Sequence, residues 1–111
     1  MPRTSKSLKS KKDFAWVFKV GKKQVGRLMV VYAARNGLTD NRYGFVASKK
    51  VGNAVVRNRA KRRLRESVRR IEGDLKCGFD VILIARPDMD SADFQSIMSE
   101  CEQLLKRAGL K

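Results

Sequence analysis

The sequence predicts an α+β sandwich: one domain, ordered α-β-β-α-β-α, with helices packed on a small mixed sheet that contains a βαβ crossover. Three observations lead there. Val56, Ala60, Leu64, Val68 and Ile71 recur at helical spacing, and Phe94, Ile97, Met98, Cys101, Leu104, Leu105 and Ala108 repeat the stripe near the C-terminus. Residues 28–34 and 79–85 are apolar runs of strand length. A chain of 111 residues, 42% of them hydrophobic, has room for one core and is too apolar for wholesale disorder.

In chain order, residues 1–9 carry Arg3, Lys6 and Lys9 among small polar side chains and read as a flexible basic arm. Ser10 is the N-cap of a short helix, with Asp13 three residues on in the manner of a capping box. Phe14, Val17 and Phe18 share one face of that helix, and Gly21 ends it. Residues 22–27 read as a polar basic loop. Residues 28–34 form a strand apolar on both sides, hence covered on both. Asn36-Gly37 is a hairpin signal, so residues 42–48 are expected to return as the antiparallel partner. Gly52 then supplies a tight turn and Asn53 an N-cap for the central helix, which runs to Glu72-Gly73. Residues 79–85 are apolar enough for the middle of the sheet, and Pro87 ends them. Residues 88–91 supply caps for a last helix that reads as scaffold. The strand–helix–strand passage through the central helix would ordinarily cross over right-handed.

The net charge is +15, and it is unevenly spread. Residues 1–70 hold 21 basic and 3 acidic side chains, whereas residues 71–111 hold 5 and 8. That asymmetry points to one polyanion-binding surface. Ten of the cations lie between Lys49 and Arg70, opposed only by Glu66. A solvated charged face normally carries acidic partners at i+3 or i+4, because like charges at that spacing destabilise a helix. The central helix therefore suits a nucleic acid laid against it. No apolar run approaches the roughly 20 residues that span a bilayer, and the basic N-terminus lacks a secretory apolar stretch, so a cytoplasmic protein is expected. Cys77 and Cys101, with no histidine anywhere, fall short of a zinc ligand set and are expected as reduced thiols.

The run Lys49-Lys50-x-Gly52-Asn53-Ala54-Val55-x-Arg57-Asn58-Arg59-x-Lys61-Arg62 resembles the RNR signature of the protein subunit of bacterial ribonuclease P. Phe14-x-x-Val17-Phe18-x-x-Gly21, Tyr32 and the apolar strand before Arg86 fall where that family has equivalents, so the resemblance covers nearly the whole chain. It implies a subunit of the endoribonuclease that removes the 5′ leader from precursor tRNA, and a left-handed crossover in place of the ordinary one. It also implies that Lys50, Asn53, Arg57, Asn58, Arg59, Lys61 and Arg62 contact the catalytic RNA. A cleft with Phe14, Phe18 and Tyr32, rimmed by Lys49, Arg57 and Arg65, is implied for the single-stranded leader. Stacking on aromatic rings tolerates any base, which suits an enzyme serving many precursors. Phe18 is expected both to anchor the first helix and to line the cleft. Val46 stands where relatives often carry Ser or Thr, and Trp16 has no role beyond packing or surface contact.

The absence of histidine excludes imidazole acid–base pairs, serine triads and imidazole metal ligands. Gly52 has no second glycine at phosphate-loop spacing. No catalytic residue, cofactor or metal is therefore expected on the chain itself. By resemblance, the RNA subunit performs the hydrolysis and uses Mg²⁺. The expected partners are that RNA and the precursor leader, with no membrane and no obligate protein partner. Two rival classes exist. A ribosomal-protein-like RNA-binding module is opposed only by the RNR signature. A helix-turn-helix DNA reader would want a second helix just before residue 53, where the pattern is strand.

Overall fold

Phe79–Ala85 (β5) buries six of its seven side chains, a demand that only the middle of a sheet meets. In the computed structural model, which describes residues 6–111, β4 (Arg42–Val46) lies parallel on one side of β5. On the other side β3 (Met29–Arg35) lies antiparallel. Two edge strands complete the mixed sheet: β1 (Lys6–Ser7) beside β4, and β2 (Lys22–Val25) beside β3, in the order β1-β4-β5-β3-β2. Three helices pack on it: α1 (Lys11–Val20), α2 (Ala54–Ile71) and α3 (Phe94–Arg107). Because α2 joins the parallel neighbours β4 and β5, the expected βαβ unit is present.

Alternation along the strands sorts the side chains into two layers. Ile82 lies with Leu8, Val17, Phe14, Tyr32, Val46 and Ile84 under α1. Val81, Leu83 and Ala85 face the main core with Leu64 and Val68 of α2 and Ile97, Cys101 and Leu105 of α3. Residues 28–34 are thus covered on both sides, as their composition requires.

Residues 42–48 do not return as the antiparallel partner of residues 28–34, because β5 sits between the two strands. The Asn36-Gly37 turn exists, with Gly37 at φ 73° and the Asn36 Oδ1 accepting from Leu38 N–H at 2.8 Å. It merely opens the passage across the end of β5. Residues 22–27 are not simply a loop, since Lys22–Val25 is β2, an edge strand where lysines are well tolerated. The Glu100 carboxylate of α3 holds its turn by accepting from the backbone N–H groups of Arg27, Leu28 and Met29 at 3.0, 2.8 and 3.0 Å. Residues 6–8 do not belong to a flexible arm, since Lys6 and Ser7 pair with β4 and Leu8 is buried; residues 1–5 of the expected arm lie outside the described residues. The last helix is capped by Asp93, which accepts from Ser96 N–H at 2.7 Å, while Pro87–Ser91 forms a 3₁₀ turn.

One carboxylate is fully buried at the start of β5. Asp80 accepts from Arg42 Nε at 2.8 Å and Nη2 at 2.6 Å, and from Asn36 Nδ2 at 2.8 Å. Arg42 also reaches Asp13 of α1 at 3.5 Å, so Asp13 ties the helix to the sheet and does not close a reciprocal capping box. The thiols differ in the same way as their settings. Cys77 is exposed, whereas burial, reinforced by the Glu102 and Glu100 charges, pushes the Cys101 thiol up to about 12. Iodoacetamide should therefore label Cys77 alone in the folded protein and both thiols in denaturant. Two adducts under native conditions would contradict the packing of α3.

Candidate nucleic-acid interface

Helix α2 begins where the sequence requires it. The Asn53 side chain accepts from Val56 N–H at 3.0 Å, and Gly52 adopts φ 153° with a virtual Cβ only 2.8 Å from Val56 Cγ1. Ala60, Leu64, Val68 and Ile71 are buried along one stripe. The basic side chains that remain divide into two groups. On the side toward α3, Arg59 pairs with Asp90, Arg63 reaches Ala92 O at 3.5 Å, and Arg70 lies 4.9 Å from the Phe94 ring centroid. Glu66, held at about 2 by hydrogen bonds from Arg69 and Arg70, occupies both of those arginines. Arg57, Lys61 and Arg62 have no hydrogen-bond or ion-pair partner among the described residues. Asn58 is exposed beside them, and Lys49 and Lys50 are exposed in the turn that enters the helix.

The aromatic group lies on the other side of the sheet. Phe18 meets Tyr32 edge-on, with centroids 4.9 Å apart at 82°, and Phe14 stands 6.5 Å from Phe18. The Phe14 ring is seated on β4 because residue 44 is glycine: a Cβ there would come within 2.5 Å of Phe14 Cζ. Phe18 is 42% exposed, so the expected anchoring of α1 falls to Val17, which is fully buried, and to Phe14. Val46 and Ile84 form the floor beside Tyr32. A partly open aromatic surface results, with its rings set at different angles. Trp16 is 41% exposed, which makes it a surface residue.

Arg65 does not stand on the rim of this cleft. Its guanidinium lies 5.3 Å from the Phe45 centroid, and Phe45 packs with the main core on the α2 side of the sheet. Arg57, in the first turn of α2, is half-buried. The cation that does reach the aromatic group is Lys23 of β2, with Nζ 5.6 Å from the Tyr32 centroid. Its only sequence signal was alternation with Val25, hidden by the basic composition of residues 22–27. Among the described residues no cluster of three or more metal-ligating side chains occurs, and no helix is long and apolar enough to cross a membrane.

A basic helix and an aromatic group lie on opposite faces of one mixed sheet, and residues 1–109 match the family model described as Ribonuclease P. The chain belongs to the ribonuclease P protein family. The ribonuclease P protein component of Caldanaerobacter subterraneus subsp. tengcongensis is 43% identical over 103 residues, which cover 93% of this chain and 89% of that protein. That of Syntrophomonas wolfei subsp. wolfei is 37% identical over 103 residues, covering 93% and 87%. Solved members of the family share the fold. The ribonuclease P protein from Thermotoga maritima aligns with a TM-score of 0.84 at 35% identity, covering 92% of this chain and 96% of its own. The Staphylococcus aureus protein gives 0.86 at 32% identity, covering 96% and 98%.

Proposed function

We propose that this chain is the RNA-binding protein subunit of the ribonucleoprotein that removes the 5′ leader from precursor tRNA. In this role α2 grips the catalytic RNA and the Phe14–Phe18–Tyr32 cleft holds the leader. The family match over residues 1–109 carries the subunit role. The division of labour draws its support from the two faces of the sheet. Arg57, Lys61 and Arg62 are free to meet phosphates, and arginine bonds phosphate bidentately while staying charged. Structured RNA is recognised largely through shape and backbone, which suits a helix of cations with few apolar side chains exposed. The rings across the sheet are open enough to stack bases, and Lys23 is placed to meet the strand's phosphates. Phosphodiester hydrolysis and its Mg²⁺ requirement belong, in this proposal, to the RNA subunit. The chain positions both RNAs and itself moves no proton.

Reconstitution with the catalytic RNA at low Mg²⁺ tests the subunit role. The chain should raise precursor processing and cleave nothing alone; robust cleavage by RNA-free protein would overturn it. The leader assignment has a sharper test. Phe18→Ala should weaken holoenzyme binding of precursor tRNA by about 1–3 kcal/mol while hardly changing mature tRNA, which lacks a leader. Its melting temperature should fall less than for a buried ring, since Phe18 is 42% exposed. Phe14→Ala should lower both leader affinity and stability, because the ring is also packed on Gly44. Equal losses for the two tRNAs would place these rings in the core and nowhere else.

A further inference from the structure

A groove of about 200 Å³ separates α2 from the outer edge of the sheet, on the face opposite the leader cleft. Its floor is Tyr43 and Phe45 of β4, with ring planes 16° apart and centroids separated by 6.3 Å. Arg65, Val68 and Arg69 form the helix wall, and Lys6 stands on the strand side. The edge is open for a topological reason. β1 pairs with β4 only at Arg42 and Tyr43, after which Leu8 N–H donates to Tyr43 O at 2.9 Å and the Leu8 side chain turns under α1. Among the described residues no strand covers β4 beside Phe45.

The chemistry of the walls narrows the ligand. Three cations surround an aromatic floor, and no acidic side chain lines the groove. Lys6 is engaged by Asp40 and Arg69 by Glu66, but Arg65 has no acidic partner among the described residues and rests on the Phe45 ring. A planar guanidinium over an aromatic ring offers a stacking surface for another flat π-system, and the unpaired charge of Arg65 favours an anionic ligand. An ordinary apolar peptide would leave the Arg65 charge unmet. A nucleotide satisfies both demands at once. Arg57, Lys61 and Arg65 also recur at every fourth residue along one side of α2, so an RNA following the free cations of the early turns arrives at this groove.

We infer that the groove takes one unpaired nucleotide of the catalytic RNA, its base stacked against Phe45 and Arg65 and its phosphate toward the surrounding cations. The inference rests on the proposed subunit role. It differs from general phosphate contact by α2 because it needs a base, and from leader binding because it uses the other face of the sheet.

The test uses the complex of the full chain with thiouridine-substituted catalytic RNA, without precursor tRNA. Irradiation should attach RNA to the tryptic peptide spanning residues 43–49. Phe45→Leu, which keeps the floor apolar, should abolish that adduct and weaken catalytic-RNA binding about 5- to 100-fold, with the salt slope unchanged. Arg65→Lys keeps the charge but removes the plane and should also weaken binding at constant slope; it carries the test if Phe45→Leu lowers the melting temperature. Absence of the adduct, or both variants binding as the wild type does, would overturn the inference. So would a loss confined to leader-bearing precursor tRNA. A wild-type chain that neither binds nor stimulates the catalytic RNA would instead reject the subunit role.

Discussion

Neutralising Arg57, Lys61 and Arg62 together should flatten the salt dependence of catalytic-RNA binding by about 2–3 in log–log slope. The figure follows from about 0.7–0.9 per phosphate contact, with nucleic-acid polyelectrolyte behaviour as the guide. Affinity at 0.1 M salt should fall on the order of a hundredfold, because three released counterions per complex no longer favour association. These three are chosen because they lack intramolecular partners among the described residues, so their charge is available. Arg59 makes the comparison. Its pairing with Asp90 is an exposed ion pair worth roughly 0–1 kcal/mol, and Arg59→Gln should alter the slope less than loss of an unpaired cation does. Titrations across several salt concentrations measure all four. If affinity drops while the slope holds, these side chains contact bases or support packing, and the phosphate assignment fails.

Asp80→Ala should be strongly destabilising, costing about 3 kcal/mol and lowering the melting temperature on the order of 10–20 °C. Asp80 is fully buried and Arg42 only 26% exposed, so the substitution strands a guanidinium with Asp13 as its remaining, longer contact. Asn36 loses an acceptor at the same time. Because Arg42 keeps some solvent, the loss should fall in the lower part of the range for broken buried pairs. Denaturant unfolding of the variant gives the number directly. Replacing Arg42 and Asp80 together with apolar residues should recover part of the loss, since no charge is then left unpaired. A loss below about 1 kcal/mol for Asp80→Ala would mean that the pair behaves as an exposed one.

Local chemistry was legible in the sequence and long-range pairing was not. Ser10 and Asn53 cap their helices as their spacing predicts, and the apolar stripes of α2 and α3 are the buried ones. These depend on neighbours within one or two turns. The error at β4 came from treating Asn36-Gly37 as a hairpin. Nothing within residues 28–48 reveals that residues 79–85, apolar on both faces, would insert between the two strands. The same non-locality misplaced the cations. A helical wheel shows that Arg59 and Arg65 leave the buried stripe, but not that Asp90 awaits one and Phe45 the other. Lys23 was invisible for a related reason, since its place beside Tyr32 exists only once β2 pairs with β3.

The Glu100 carboxylate has a consequence for the order in which this chain can finish folding during synthesis. It locks the β2–β3 turn from more than 70 residues downstream, within α3. Until α3 arrives, the Arg27, Leu28 and Met29 amides lack this acceptor, and contacts of such sequence separation form late because chain closure must precede them. The strand that carries Lys23 to Tyr32 is therefore secured only once α3 has been made and has docked. A nascent chain can possess the RNR helix well before it possesses a finished aromatic cleft.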